Sequence, residues 1–181
     1  KTLVAQIDND FNEQSKVETA ASVWAFMNGK TEKPTTLKAW KESINDAGDP
    51  LIGKLVFETN LCASCHKIDG WGGAFGPDLT NIGNSKSKQL LINSILEPSK
   101  EIAPEWQGWY VVDKDGVRHE GRQIDVHLNN AELMNTDGTF TTYEKPQSYG
   151  VSEKSLMPEN LQNLMTGQEF NDLIAYLTTL K

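Results

Sequence analysis

The sequence predicts a mainly α-helical domain that carries a small antiparallel β insertion and an N-terminal helical extension. Three observations lead there. Apolar residues recur at helical spacing in three stretches with clear start or stop signals, near residues 50–60, 87–97 and 166–180. The stretch 109–144 instead favours strands and contains Asp115-Gly116 and Asp137-Gly138, both strong hairpin turns. Residues 1–48 hold two further amphipathic segments of their own. The expected domains are therefore an extension over 1–48 and a second unit over 49–181, with the insertion at about 106–150.

In the extension, Val17, Ala20, Ala21, Trp24 and Met27 suit one helix face, and Leu37, Trp40 and Ile44 a second. Lys30 to Thr36, with Pro34, connects them. Two helices alone bury little, so the pair is expected to dock on the remainder or on something else. In the next helix Asp49 is a good N-cap and Pro50 fits the first helical position. Leu51 with Leu55, and Ile52 with Val56, predict its apolar face. It ends near Asn60, just before Cys62. Leu90, Leu91, Ile95 and Leu96 form the stripe of the following helix, which stops before Pro98. Trp109-Tyr110-Val111-Val112 and Gln123-Ile124-Asp125-Val126 read as strands. In the last helix Thr166 and Glu169 form a capping box. Phe170, Leu173, Ile174, Leu177 and Leu180 follow as a core stripe, expected to cross the helix that leads into Cys62.

The chain has 181 residues and a formal charge of −8, which argues against nucleic-acid binding. An acidic surface can instead be steered towards a basic partner patch. No apolar run approaches the roughly 18 residues that span a bilayer. The first residues lack the apolar stretch of a signal peptide, so the expectation is a leader already removed or a longer protein upstream.

The chemistry centres on residues 62–66, Cys-Ala-Ser-Cys-His, which contain both cysteines of the chain. C-x-x-C-H reads as attachment of a c-type haem. Two thiols become thioethers to the two vinyl groups, and the adjacent histidine supplies an axial nitrogen to iron. Cys62 and Cys65 are thus the haem attachment points and His66 an iron ligand. Rival readings are a thioredoxin-like redox pair, whose βαβ setting the flanks do not resemble, and a chance match. A third is a zinc site of Cys62, Cys65 and two of His66, His119 and His127. The two later histidines sit among polar neighbours and read more simply as solvent-facing strand residues.

After the motif comes the glycine-rich run Gly70 to Leu79. Glycines allow close backbone approach to a flat ligand. Pro77 has a carbonyl that can accept from His66 Nδ1–H and so fix the ring's tautomer. For the second axial position, Met157 is the candidate: it lies in Ser155-Leu156-Met157-Pro158, where the proline keeps the segment a loop. Met27, Met134 and Met165 read as packing residues, the last also a lesser ligand candidate with His119 and His127. Trp71 and Arg122 are candidate partners for the haem propionates.

Several separated pieces together resemble the haem-binding domain of the Pirellula/Verrucomicrobium type. They are Gly48-Asp49, CASCH, GGAFGPDLTNIG at 72–83, LLINSILEPSKEI at 90–102, the DG strand segment, and SLMPENL before the final helix. The resemblance spans about three-quarters of the chain. It implies a cytochrome c fold with a β insertion. Such domains commonly end large exported proteins whose upstream parts look like β-propeller dehydrogenases; residues 1–48, outside the resemblance, fit either the tail of such a region or a small free cytochrome.

The expected function is a monohaem one-electron carrier with haem c held by Cys62 and Cys65 and iron held by His66 and Met157. Its expected partners are a dehydrogenase donor and a cytochrome or terminal oxidase acceptor, outside the cytoplasm, as in the periplasm. It is expected to be no enzyme itself, although it could be the electron-transfer part of a larger dehydrogenase. The alternative is a haem enzyme or gas sensor with an open or displaceable sixth ligand. Its only candidate distal pair lies among Arg118, His119 and Arg122.

Overall fold

The computed structural model describes residues 33–127 and 129–181. The helix expected on Val17, Ala20, Ala21, Trp24 and Met27 lies outside them. The described helices are α1 (Leu37–Glu42), α2 (Pro50–Thr59), α3 (Cys62–Cys65), α4 (Ile82–Ser85), α5 (Lys88–Leu96) and α6 (Gly167–Thr179). The strands are β1 (Lys67–Ile68), β2 (Trp71–Gly72), β3 (Trp109–Val112), β4 (Arg118–His127), β5 (Asn130–Met134), β6 (Phe140–Glu144) and β7 (Ser148–Val151).

Local chemistry sets the helix ends. Asp49 accepts from Leu51 N–H at the start of α2, with Pro50 first in the helix. Ser87 accepts from Leu90 N–H at the start of α5. Thr166 and Glu169 make a reciprocal capping box on α6. Helix α2 crosses α6 at backbone contact. A Cβ on Gly53 would lie 1.9 Å from the Asp172 carbonyl oxygen, and one on Gly48 would lie 2.2 Å from that of Asn171. Beside the crossing, Phe57 and Tyr176 meet edge to face with centroids 6.0 Å apart.

The face that α2 buries differs from the expected one. Val56 and Phe57 enter the core with Gly53, whereas Leu51 stays 80% exposed and Leu55 50% exposed. The i,i+4 spacing of Leu51 and Leu55 is helical, but the glycine decides which side can approach α6. The core joins α2 and α6 with Leu91, Ile92, Ile95 and Leu96 of α5. Trp40 of α1 belongs to it too, buried edge-on to Phe170 with centroids 5.6 Å apart. The described part of the extension is thus packed into this core.

The expectation of a mainly α fold is overturned. About 36% of the described residues are helical and about 21% lie in strands. The insertion is an antiparallel five-stranded sheet in the order β6-β5-β4-β3-β7, with a separate β1–β2 hairpin. The expected turns at Asp115-Gly116 and Asp137-Gly138 are present, each with its glycine at φ near +80°. Strand β4 runs for ten residues and β7 adds a further strand beside β3. Arg118-His119-Glu120-Gly121 has little intrinsic strand preference, and in β7 Gly150 separates the strand-favouring Tyr149 and Val151; ladder pairing and a second small core hold them. That core comprises Val111, Ala131 and Leu133, flanked by Trp109, Val126 and Tyr143. The insertion leaves and returns at one place, where Ser152 N–H donates to the Gly108 carbonyl at 2.7 Å.

The helix crossing leaves no room for a side chain at Gly53. Gly53→Ala should therefore lower stability by at least about 1–3 kcal/mol through overpacking, read as a lower midpoint in urea unfolding. An unchanged midpoint would contradict the backbone contact.

Candidate haem-attachment site

The site begins where α2 stops. Asn60 ends the helix, and Leu61 adopts the left-handed region at φ 67°. That one residue redirects the chain into the single-turn helix α3. The Leu61 carbonyl accepts from both Ser64 N–H and Ser64 Oγ–H, and the Cys62 carbonyl accepts from His66 N–H at 2.9 Å. One helical turn therefore places Cys62 and Cys65 on the same stretch of surface, with His66 at its end. Both thiols are free and half-buried. Burial pushes the Cys62 thiol up to about 11, so it remains protonated at neutral pH.

The following run folds back over this turn. The β1–β2 hairpin pairs Lys67 with Gly72, turning through Asp69 and Gly70 at positive φ. Gly73 N–H then donates to the Ala63 carbonyl at 2.9 Å, and Gly76 N–H to the Cys65 carbonyl at 2.7 Å. These contacts need glycine. A Cβ on Gly73 would sit 1.9 Å from the Ser64 carbonyl oxygen, and one on Gly76 would sit 2.7 Å from His66 Cε1.

The structure brings His66 and Pro77 together, with Nδ1 of the ring 2.9 Å from the Pro77 carbonyl oxygen. A carbonyl only accepts, so the proton resides on Nδ1. Desolvation lowers the pKa of His66 from its ordinary value, and the Pro77 bond opposes that shift. The ring is held neutral with its lone pair on Nε2, the form that binds a metal. Two thiols, one such imidazole and a glycine strap fit a covalently held haem.

Met157 is half-buried at the margin of the core that Cys62 also borders. Its N–H donates to Ser155 Oγ at 3.1 Å, and Ser155 N–H donates to Ser99 Oγ, tying this loop to the segment after α5. Met165 is only 2% exposed and fills the main core, while Met134 lies half-buried in β5. His119 and His127 are on the sheet, each 2.8 Å from a carboxylate oxygen, of Asp113 and Asp125 respectively. Among the described residues no three His, Cys, Asp or Glu gather as a metal set, so the zinc reading has no ligand shell. Arg118 pairs with Glu120 and lies over Tyr110. Trp71 stands exposed on its hairpin.

Two features escape sequence reasoning. The left-handed Leu61 has no local signal, since glycine or asparagine is the usual choice there. Arg122 reaches from β4 to the strap, where its Nη1–H donates to the Ala74 carbonyl at 3.0 Å while the guanidinium lies over Trp106.

Residues 51–109 match the family described as Cytochrome c. The match takes in α2, the attachment turn, the strap and α5, and stops at the first residue of β3. A subunit of the nitric oxide reductase of Halomonas halodenitrificans is 34% identical over 64 residues, which is 35% of this chain and 36% of that protein. The chain thus spans about a third of the length of this curated relative. These likenesses support a c-type cytochrome with covalently bound haem c, and Cys62 and Cys65 occupy the CxxCH positions. Among the described residues no helix is long and apolar enough to cross a membrane.

Gly76→Ala places a methyl group against the His66 ring. It should shift or broaden the His66 Nδ1–H resonance in ¹H–¹⁵N spectra, while the folded amide pattern persists. An unaltered resonance would mean that Gly76 does not set the ring.

Proposed function

We propose that the chain is a monohaem electron carrier in which Cys62 and Cys65 hold the haem and His66 and Met157 hold its iron. The observation that carries this reading is the His66 ring, fixed by Gly76 and bonded through Nδ1–H to the Pro77 carbonyl. When bound, haem c supplies a one-electron Fe(III)/Fe(II) couple. The chain's own residues supply rigidity. The strap bonds at Ala63 and Cys65 hold the attachment turn, and the Pro77 carbonyl keeps the imidazole in one tautomer and orientation. A thioether from Met157 would favour the reduced state and raise the potential.

The resemblance to the Pirellula/Verrucomicrobium-type domain supports the finer assignment. In that setting the donor is a dehydrogenase, the acceptor a cytochrome or terminal oxidase, and the location extracytoplasmic, such as the periplasm. The curated relative is named as a reductase subunit, which agrees with an electron-transfer role inside a larger assembly. We read the chain as a carrier rather than as an enzyme.

The test is an optical spectrum of the purified protein, oxidised, then reduced, then exposed to carbon monoxide. The expected result is low-spin haem c with the weak far-red methionine–iron band and no response to carbon monoxide. Met157→Ala should abolish that band, admit carbon monoxide and lower the midpoint potential. A wild-type protein that is high-spin and binds carbon monoxide promptly would move the reading to catalysis or gas sensing. Retention of the far-red band in Met157→Ala would remove Met157 as the ligand.

A further inference from the structure

We propose that Arg122 is a positioning residue through which the inserted sheet fixes the His66 strap and raises the reduction potential of the site. The inference rests on the electron-carrier reading. Arg122 stands on β4, outside the segment that matches the Cytochrome c family. Its side chain is half-buried and held on two sides. The guanidinium centre lies 4.4 Å from the centroid of Trp106, in the 3₁₀ turn Pro104–Trp106, and Nη1–H donates to the Ala74 carbonyl at 3.0 Å. Arginine suits this place because its planar group can stack on one partner while donating in its plane to another.

Ala74 is not an arbitrary anchor. It lies between Gly73, bonded to Ala63, and Gly76, bonded to Cys65 and in contact with the His66 ring. The next residue, Pro77, accepts from His66 Nδ1–H. Backbone bonds tie the strap to the attachment turn on one side, and Arg122 ties it to the sheet on the other. Releasing Ala74 loosens the segment that orients the imidazole. A fixed cation close to this strap also disfavours the oxidised iron, which carries one more positive charge than the reduced iron. The charge sets the sign of the change in potential, and the loosening of the strap is read in the His66 ring.

The experiment is redox titration of the haem-loaded protein, with the His66 Nδ1–H resonance followed in the reduced state. Arg122→Gln should shift the redox equilibrium on the order of tenfold towards the oxidised form, or about 59 mV downward for a one-electron couple. The His66 resonance should move with it. Arg122→Lys, which keeps the charge and a donor but not the stacking fork, should recover at least half of the shift in potential. A folded, haem-loaded Arg122→Gln protein with wild-type potential and an unmoved His66 resonance would overturn the proposal. If that variant does not fold, Trp106→Leu provides the decision: it leaves the Ala74 bond available and removes the stacking face. A smaller downward shift supports the inference, and an unchanged potential and His66 resonance overturns it. Failure of the underlying reading looks different, since the wild-type protein itself would then lack a haem c spectrum or a reversible couple.

Discussion

The crossing of α2 and α6 at backbone contact is the constraint on which the rest of the structure depends. Gly53 lets α2 approach the Asp172 carbonyl more closely than any side chain would permit. Two buried polar residues of α6 then stitch the chain that leads into α2. Asp172 accepts from Asp49 N–H at 2.8 Å and from Gln168 Nε2–H, while Asn171 accepts from Asn45 N–H and donates to the Ser43 carbonyl. A buried carboxylate near the first turn of α2 also complements the positive end of that helix. Polar groups so deep in a core are tolerable because they are bonded. Their directionality fixes the position of α2 along α6, which apolar contact alone would leave free to slide. The end of α2 therefore lies at one place, and so does the thiol pair that begins two residues beyond Asn60.

From there the attachment site is a matter of backbone rather than side chains. Leu61 turns the chain, α3 completes one helical turn, and the glycine-rich strap folds back over it. The protein holds His66 with a ring contact on one side and a main-chain acceptor on Nδ1. Neither restraint depends on a titrating partner, so the tautomer is set by geometry. The imidazole and the two thiols are pre-arranged by the same few backbone bonds, and disturbance of one is felt by all three.

Much of this was legible in the sequence because it is local. Caps at Asp49 and Thr166 act within four residues, and CASCH specifies its chemistry within five. The hydrogen bond from His66 to Pro77 lies within one glycine-rich run that folds back on the motif. What was not legible depends on residues far apart in sequence. Leu51 and Leu55 carry the same periodic signal as Ile52 and Val56, yet only the latter face receives α6, because Gly53 marks it. Strand β7 is paired with β3 across a long excursion, and although Tyr149 and Val151 favour a strand, nothing local names that partner. Trp40 looks like one aromatic residue on a short amphipathic helix, but it ends in the main core against Phe170. Arg122 is the sharpest case: nothing near it in sequence says that its partner is the carbonyl of Ala74.

The same long-range logic explains how a domain with a compact helical core accommodates a five-stranded sheet. The excursion begins at Gly108 and ends at Ser152, which are bonded to each other, and Gln107 Nε2–H also donates to the Ser152 carbonyl at 2.6 Å. Because β3 and β7 are neighbours, the first and last strands of the insertion close its base themselves. The helical core therefore meets only a short gap, and the closure entropy, which grows slowly with loop length, is met where β3 and β7 pair. Gly108 also lies directly against Leu156, where a Cβ would approach the Leu156 side chain to 2.8 Å. The closing point of the sheet thus touches the residue next to Met157. An insertion anchored in this way delivers the Met157 loop back to the core it left, while β4 extends Arg122 to the His66 strap. The sheet is joined to both halves of the site by contacts at its base and along one strand, so it belongs to the architecture that holds the site and is more than a passive appendage.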